Sequence, residues 1–201
     1  STAPVPSAEA PWKPLFNGTT LDGWVQLNGT APFTVADGAI VGTTVVGSPN
    51  SFLCTKETFG DFILEYEARL DAPMNSGVQV RSIGDPAVKG GRVHGYQIEI
   101  DPSERAWTGG IYDESRRGWL HTLQTQDAAR KAFRMGQWNT FRVEAIGTSI
   151  RTWLNGLPVA NIVDDLTPRG LIGLQVHSIG TDTSKVGQTV RFRNIRIRIL
   201  P

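Results

Sequence analysis

Glu99, Asp101 and Glu104 fall within one short run, Gly95-Tyr96-Gln97-Ile98-Glu99-Ile100-Asp101-Pro102-Ser103-Glu104. Carboxyl groups this close suit general acid–base chemistry, because burial and neighbouring charge push their proton affinities apart. Alternation along a strand puts Ile98 and Ile100 on one face and Gln97, Glu99 and Asp101 on the other. Glu99 and Asp101 then stand about 6.6–6.8 Å apart at Cα. Pro102 removes a ladder N–H and tends to end a central strand, which leaves Glu104 in a loop beside Arg105.

Two further segments add polar groups by the same rule. In Gly77-Val78-Gln79-Val80-Arg81-Ser82 the valines turn inward, so Gln79 and Arg81 point out. In Leu171-Ile172-Gly173-Leu174-Gln175-Val176-His177, Ile172, Leu174 and Val176 turn inward, so Gly173, Gln175 and His177 point out. If the three strands share a sheet, its outer face carries Gln, Arg, Glu, Asp and His. A merely solvated face is richer in Lys, Thr and Ser. Fixed donors and acceptors of this kind suit a cleft for sugar hydroxyls. The following loop adds Trp107, Tyr112, Arg116, Arg117 and Trp119. Aromatic rings beside arginines suit a pyranose, although Trp107 and Trp119 fit a cover over the core edge equally well. The expected catalytic set is Glu99, Asp101 and His177, and the expected substrate-binding set is Asn75, Gln79, Arg81, Gln97, Tyr112, Arg117, Trp119 and Gln175. No cofactor is required. A divalent cation on Glu99, Asp101 and His177 is the alternative, but no H-x-H or HExxH spacing supports it.

The elements that must position these groups are strands. Phe62–Leu70, Gly77–Arg81, Gln97–Asp101, Thr140–Ala145 and Leu171–Val176 all alternate with period two. Asn155-Gly156 and Asp37-Gly38 sit between apolar runs and predict tight hairpins. One short helical turn is expected over Gln126–Phe133. Many evenly spaced strands with turn signals between them predict an all-β sandwich, and a jelly roll of two antiparallel sheets fits the count. The chain has 201 residues, enough for one such domain, expected over residues 12–201.

Composition narrows the partners. Net charge is +1, so nothing drives the chain toward nucleic acid or an anionic membrane. The basic run Arg191–Arg198 alternates with apolar residues and reads as the solvated face of a strand. No apolar run reaches transmembrane length. Cys54 is the single cysteine, which excludes an intrachain disulfide. Residues 1–11 are small, polar and proline-rich, like a linker left after signal-peptide or lipoprotein processing, and predict an exported, periplasmic or cell-surface protein, with a lipid-anchored precursor as one route to it.

Two resemblances bear on the acidic strand. Glu99-Ile100-Asp101-Pro102-Ser103-Glu104 resembles the E-x-D-x-x-E pattern of laminarinase-type retaining glucanases, which would make Glu99 the nucleophile and Glu104 the acid/base. Their odd spacing then demands a β-bulge and a separation of roughly 5–5.5 Å. A broader set recurs in order along the chain. It comprises Lys13-Pro14-Leu15-Phe16-Asn17-Gly18, Leu21-Asp22-Gly23-Trp24, Asp37-Gly38-Ala39-Ile40-Val41-Gly42, Phe59-Gly60-Asp61-Phe62, Asn75-Ser76-Gly77-Val78, Gly95–Asp101, Thr108-Gly109-Gly110-Ile111-Tyr112, Gln137-Trp138-Asn139-Thr140, Trp153-Leu154-Asn155-Gly156 and Phe192-Arg193-Asn194-Ile195. This set closely resembles the 3-keto-disaccharide hydrolase family over about residues 12–200. The resemblance implies a concanavalin A-like jelly roll in an exported bacterial protein. It also implies cleavage of glycosides whose sugar carries a ketone at C3. Cys54, where an aromatic residue is common, departs from the pattern and is expected to touch core packing alone. Conventional glycoside hydrolysis and a non-catalytic carbohydrate-binding module remain the alternatives.

Overall fold

The computed structural model describes residues 9–201; most of the expected linker, residues 1–8, lies outside them. Among the described residues the strands are β1 (Trp12–Pro14), β2 (Trp24–Leu27), β3 (Phe33–Ala36), β4 (Ala39–Thr43), β5 (Ser51–Thr55), β6 (Phe62–Leu70), β7 (Ser76–Ile83), β8 (His94–Ile100), β9 (Ile111–Glu114), β10 (Gly118–His121), β11 (Asn139–Ile146), β12 (Ser149–Leu154), β13 (Leu157–Val163), β14 (Leu171–Val176) and β15 (Thr189–Ile199). One helical turn, α1 (Asp127–Arg130), lies inside the segment expected to hold it. Both predicted hairpins form, with Asp37 and Asn155 in the left-handed conformation that their turns require.

The strands make two antiparallel sheets. The first runs β13-β12-β11-β6-β15-β4-β3, with β1 added beside β15, and the second runs β10-β9-β8-β7-β14-β5-β2. This is the expected jelly-roll sandwich. Val78, Val80, Ile98, Ile100, Leu174 and Val176 join Phe62, Leu64, Phe141 and Ile197 in one core between the sheets. The strands β8, β7 and β14 are consecutive neighbours, so the three polar segments do share a sheet.

The outer face of the first sheet is closed by its own charges. Glu65 binds Arg142 and Arg196, each at 2.7 Å, and Arg142 and Arg151 meet Glu144 at 2.8 and 3.0 Å. Arg193 pairs with Glu67, and Arg191 with Asp71. Arginines also stack on Trp12, Trp138 and Trp153. The basic C-terminal run is thus the solvated face of β15, as expected. A bulge at Asn194, where φ is 51°, shifts the register between Arg193 and Arg196 and keeps both on that face.

Candidate functional site

The second sheet has a different outer face. A single row of paired residues crosses six strands: Cys54, Gly173, Gln79, Gln97, Tyr112 and Trp119. Gln79 Nε2 donates to Gln97 Oε1 at 2.7 Å. Gln97 Nε2 donates in turn to Glu99 Oε1 at 3.0 Å and to Gln175 Oε1 at 3.2 Å. Ser82 Oγ closes the chain on Gln79 Oε1. Gly77 makes room for this: a Cβ there would lie 2.7 Å from Gln97 Cγ. Gln175 Nε2 is a buried donor with no partner among the described residues. Buried polar atoms are ordinarily paired, so this donor is open to a water or a ligand oxygen.

Glu99 occupies the centre of this arrangement. Its relative exposure is 4%, and it makes no ion pair among the described residues. Burial pushes its carboxyl up to about 8, partly offset by the Gln97 hydrogen bond and reinforced by the charges of Glu114 and Asp101. Glu99 is therefore protonated near neutrality and presents an O–H.

Asp101 behaves otherwise. It lies just beyond β8, and its Oδ1 accepts from Ser103 N and Ser103 Oγ at 3.2 and 2.6 Å. Its Oδ2 accepts from Arg105 Nε at 2.8 Å and Trp107 N at 3.3 Å. Burial opposes ionisation, but these donors outweigh it and hold the carboxyl below its ordinary value. With both oxygens occupied, Asp101 organises the loop after β8. Arg105 is thereby laid over Trp107 and Trp119, at 4.5 and 5.1 Å from the ring centroids. Trp119 packs edge-on against Trp107 and Tyr112. An aromatic wall thus stands beside Glu99, and the arginine on it is Arg105.

Arg116 and Arg117 lie elsewhere. Both grip the buried Asp113, and Arg117 also binds Asp164 at 2.7 Å. Asp113 pairs with Tyr96, a core residue, so this cluster belongs to the inner side of β9. Tyr96 Oη completes it by donating to Asp164 Oδ1. Arg117 is a clasp between the sheets, which corrects its expected substrate-binding place. Its paired arginines are visible in the sequence, but their carboxylate partners are not.

Arg81 is corrected in the same way. Its φ is 45°, and the register slips between Val80 and Ile83. The bulge breaks the alternation and turns Arg81 off the face of Gln79. Its guanidinium, at 1% exposure, donates to Gly60 O, Gly147 O and Asp61 Oδ1 at 2.9, 2.7 and 3.0 Å. Ser82 takes its place beside Gln79.

Two recesses are lined by residues that flank these strands, and Glu99 lines neither of them. A groove of about 470 Å³ is lined by Asn28, Asn50, Phe52, Arg92, Glu114 and Ser178, among others. A smaller recess of about 230 Å³ shares Ser178 and includes Asn75 and His177. His177 is exposed, with Nδ1 against Ser178 O at 2.7 Å. A slightly larger depression of about 500 Å³ lies on the first sheet, but its Glu65, Glu67 and Arg196 are engaged in the ion-pair ladder. Glu114 was not among the expected site residues. Its period-two position in Ile111-Tyr112-Asp113-Glu114 is the signal that could have found it, since it falls on the face of Tyr112.

Glu104 is exposed in the loop beyond β8, so no bulge brings it onto the strand face of Glu99. Among the described residues no group of three His, Cys, Asp or Glu side chains, Glu99, Asp101 and His177 included, is arranged to hold a metal ion. Cys54 is not in the main core. It packs with Phe52, Val93 and Leu171 in a small apolar cluster, in the same row as Gly173 and Gln79, so it touches the site's floor after all.

The chain belongs to the family of the 3-keto-alpha-glucoside-1,2-lyase-like domain, whose sequence model matches residues 11–198. This is a carbohydrate-active jelly-roll family. No curated protein sequence matches the chain. Among solved structures, a candidate glycosyl hydrolase from Parabacteroides distasonis ATCC 8503 is similar, with 20% identity, a TM-score of 0.66 and 94% of each chain covered. A protein of unknown function with a galectin-like fold from Bacillus subtilis shares 13% identity at a TM-score of 0.71, covering 96% of each chain. A carbohydrate-binding module from Bacillus subtilis shares 16% identity at a TM-score of 0.58, covering 88% of this chain and 95% of the other. At these identities the likeness is one of fold. No helix among the described residues is long and apolar enough to cross a membrane.

Proposed function

We propose that this protein cleaves glycosides carrying a ketone at C3, by elimination across C1 and C2 followed by hydration. The observation that carries the reading is Glu99, a buried carboxyl without a counter-ion among the described residues, set in a glutamine network beside an aromatic wall. A C3 ketone acidifies the C2 proton, so the sugar leaves through an enolate rather than an oxocarbenium-like transition state. Such a site needs a base near C2, donors for oxygen and a proton for the leaving group. Protonated Glu99 supplies that proton, and Gln175, whose Nε2 has no partner among the described residues, offers an amide to the sugar, while Gln79 and Gln97 hold the network in place. Trp119 and Tyr112 offer ring surface to its apolar face. Family membership supports the substrate class.

The 3-keto derivative of 4-nitrophenyl glucopyranoside, in each anomer, tests the reading beside its unoxidised parent. The ketone is expected to be cleaved far faster, and Glu99→Gln to lower that rate by about 10²–10⁴-fold. Equal rates on ketone and parent overturn the substrate class. Binding of either sugar without turnover favours the carbohydrate-binding module.

A further inference from the structure

Glu114 ends β9 opposite Gly95, and therefore shares the outer face of the sheet with Gln97 and Glu99. It is the one carboxylate among the residues lining the 470 Å³ groove. Asn50 Nδ2 donates to Glu114 Oε1 at 3.2 Å, while Asn50 Oδ1 accepts from Ser178 N at 2.8 Å. The backbone N–H of Ser178 fixes which end of the amide faces Glu114, so the carboxylate is aimed. Among the described residues Glu114 Oε2 has no partner and Glu114 forms no ion pair. Burial raises its proton affinity, while Asn50 and the charges of His177 and Arg92 restrain the rise. An oriented carboxylate with one open oxygen and raised basicity suits a proton acceptor. Glu99 has the complementary character, being nearly sealed and protonated. Two carboxyl groups of one face in unlike environments divide into acid and base.

We propose that Glu114 is the base of this site and takes the C2 proton of the 3-keto sugar; the assignment rests on the reaction proposed above. The C2–H electron pair becomes the C2=C3 bond, and the ketone oxygen takes the negative charge. That charge returns to re-form C3=O as C1=C2 forms and the C1–O bond breaks. The leaving oxygen takes its proton from Glu99. Glu114 is now protonated and Glu99 ionised. In hydration Glu99 takes a proton from water as its oxygen adds to C1, and Glu114 returns a proton to C2. Both groups end as they began. Asn50 is a positioning residue in this scheme.

The experiment uses the full chain and the same 3-keto 4-nitrophenyl glucopyranosides in D2O, with nitrophenol release and deuterium at C2 of the product read together. The wild type is expected to release nitrophenol and place deuterium at C2. Glu114→Gln, with an unchanged unfolding midpoint, is expected to slow both by about 10²–10⁴-fold. Glu114→Ala is expected to regain at least about tenfold with added formate, a small carboxylate able to replace the missing base, which a merely structural role would not allow. A Glu114→Gln enzyme within about tenfold of wild type, or a Glu114→Ala enzyme that formate does not rescue, overturns the base assignment and leaves the reaction standing. A wild type that cleaves neither ketone overturns the reaction and this role together.

Discussion

Arg105 Nε donates to Asp101 Oδ2 at 2.8 Å, and the same arginine lies over the rings of Trp107 and Trp119. One carboxylate thereby holds an aromatic wall in place. Asp101→Asn keeps the size of the side chain but removes the charge that holds Arg105. It is expected to raise KM for a 3-keto glycoside by about 3–10-fold with kcat changed less, because the wall binds and does not react. A loss in kcat as large as that of Glu99→Gln would show that Asp101 takes part in the chemistry.

Arg81 gives a prediction about stability. Its guanidinium meets two carbonyl oxygens and Asp61, and burial makes its charge costly without them. Arg81→Met leaves those acceptors without a donor. It is expected to lower unfolding free energy in urea by about 2–4 kcal/mol, with Asp61 partly relieved by water. Arg81→Lys is expected to destabilise while leaving KM unchanged, since the side chain lies off the face of Gln79.

Glu99 gives a pH dependence with a definite sign. Its folded-state value, about 8, lies above the 4.5 of a free glutamate. The folded protein therefore holds a proton that the unfolded chain has released. The stability this group contributes is fully present below about pH 4.5 and is lost as pH rises to about 8. The slope is about −1.4 kcal/mol per pH unit at most. Urea unfolding across this range should show a decline that Glu99→Gln lacks. Asp164 works in the opposite direction: the Arg117 hydrogen bonds, aided by Tyr96, hold it at about 2. Its contribution is present above the usual aspartate value and is lost as pH falls through about 2.

Cys54 is fully buried, and that burial pushes its thiol up to about 12. The thiolate is the reactive form. Iodoacetamide at pH 8 is therefore expected to leave the native protein unmodified and to alkylate it stoichiometrically in urea. Mass spectrometry of the two samples checks this. Native alkylation at a rate comparable to that in urea would show that the apolar cluster beneath Gly173 opens.

Alternation alone is enough to assign Val78, Val80, Ile98, Ile100, Leu174 and Val176 to the core and Gln79, Gln97, Glu99 and Gln175 to the opposite face. The pleat makes side-chain direction a local property, and paired turn residues such as Asn155-Gly156 mark where strands reverse. The same rule fails for Arg81, because one left-handed residue in a bulge reverses the count. It fails for Asp101 and Arg117 for another reason. Arg105 claims the first, and Asp113 and Asp164 claim the second. A charged side chain is assigned by whichever partner meets it in space. Sheet order decides that partner. Asn50 and Ser178 are 128 residues apart, and only the packing of β5 beside β14 brings them together to aim Glu114. Direction is written in the spacing of neighbours, whereas company depends on strand order, which pairs residues that spacing along the chain leaves far apart.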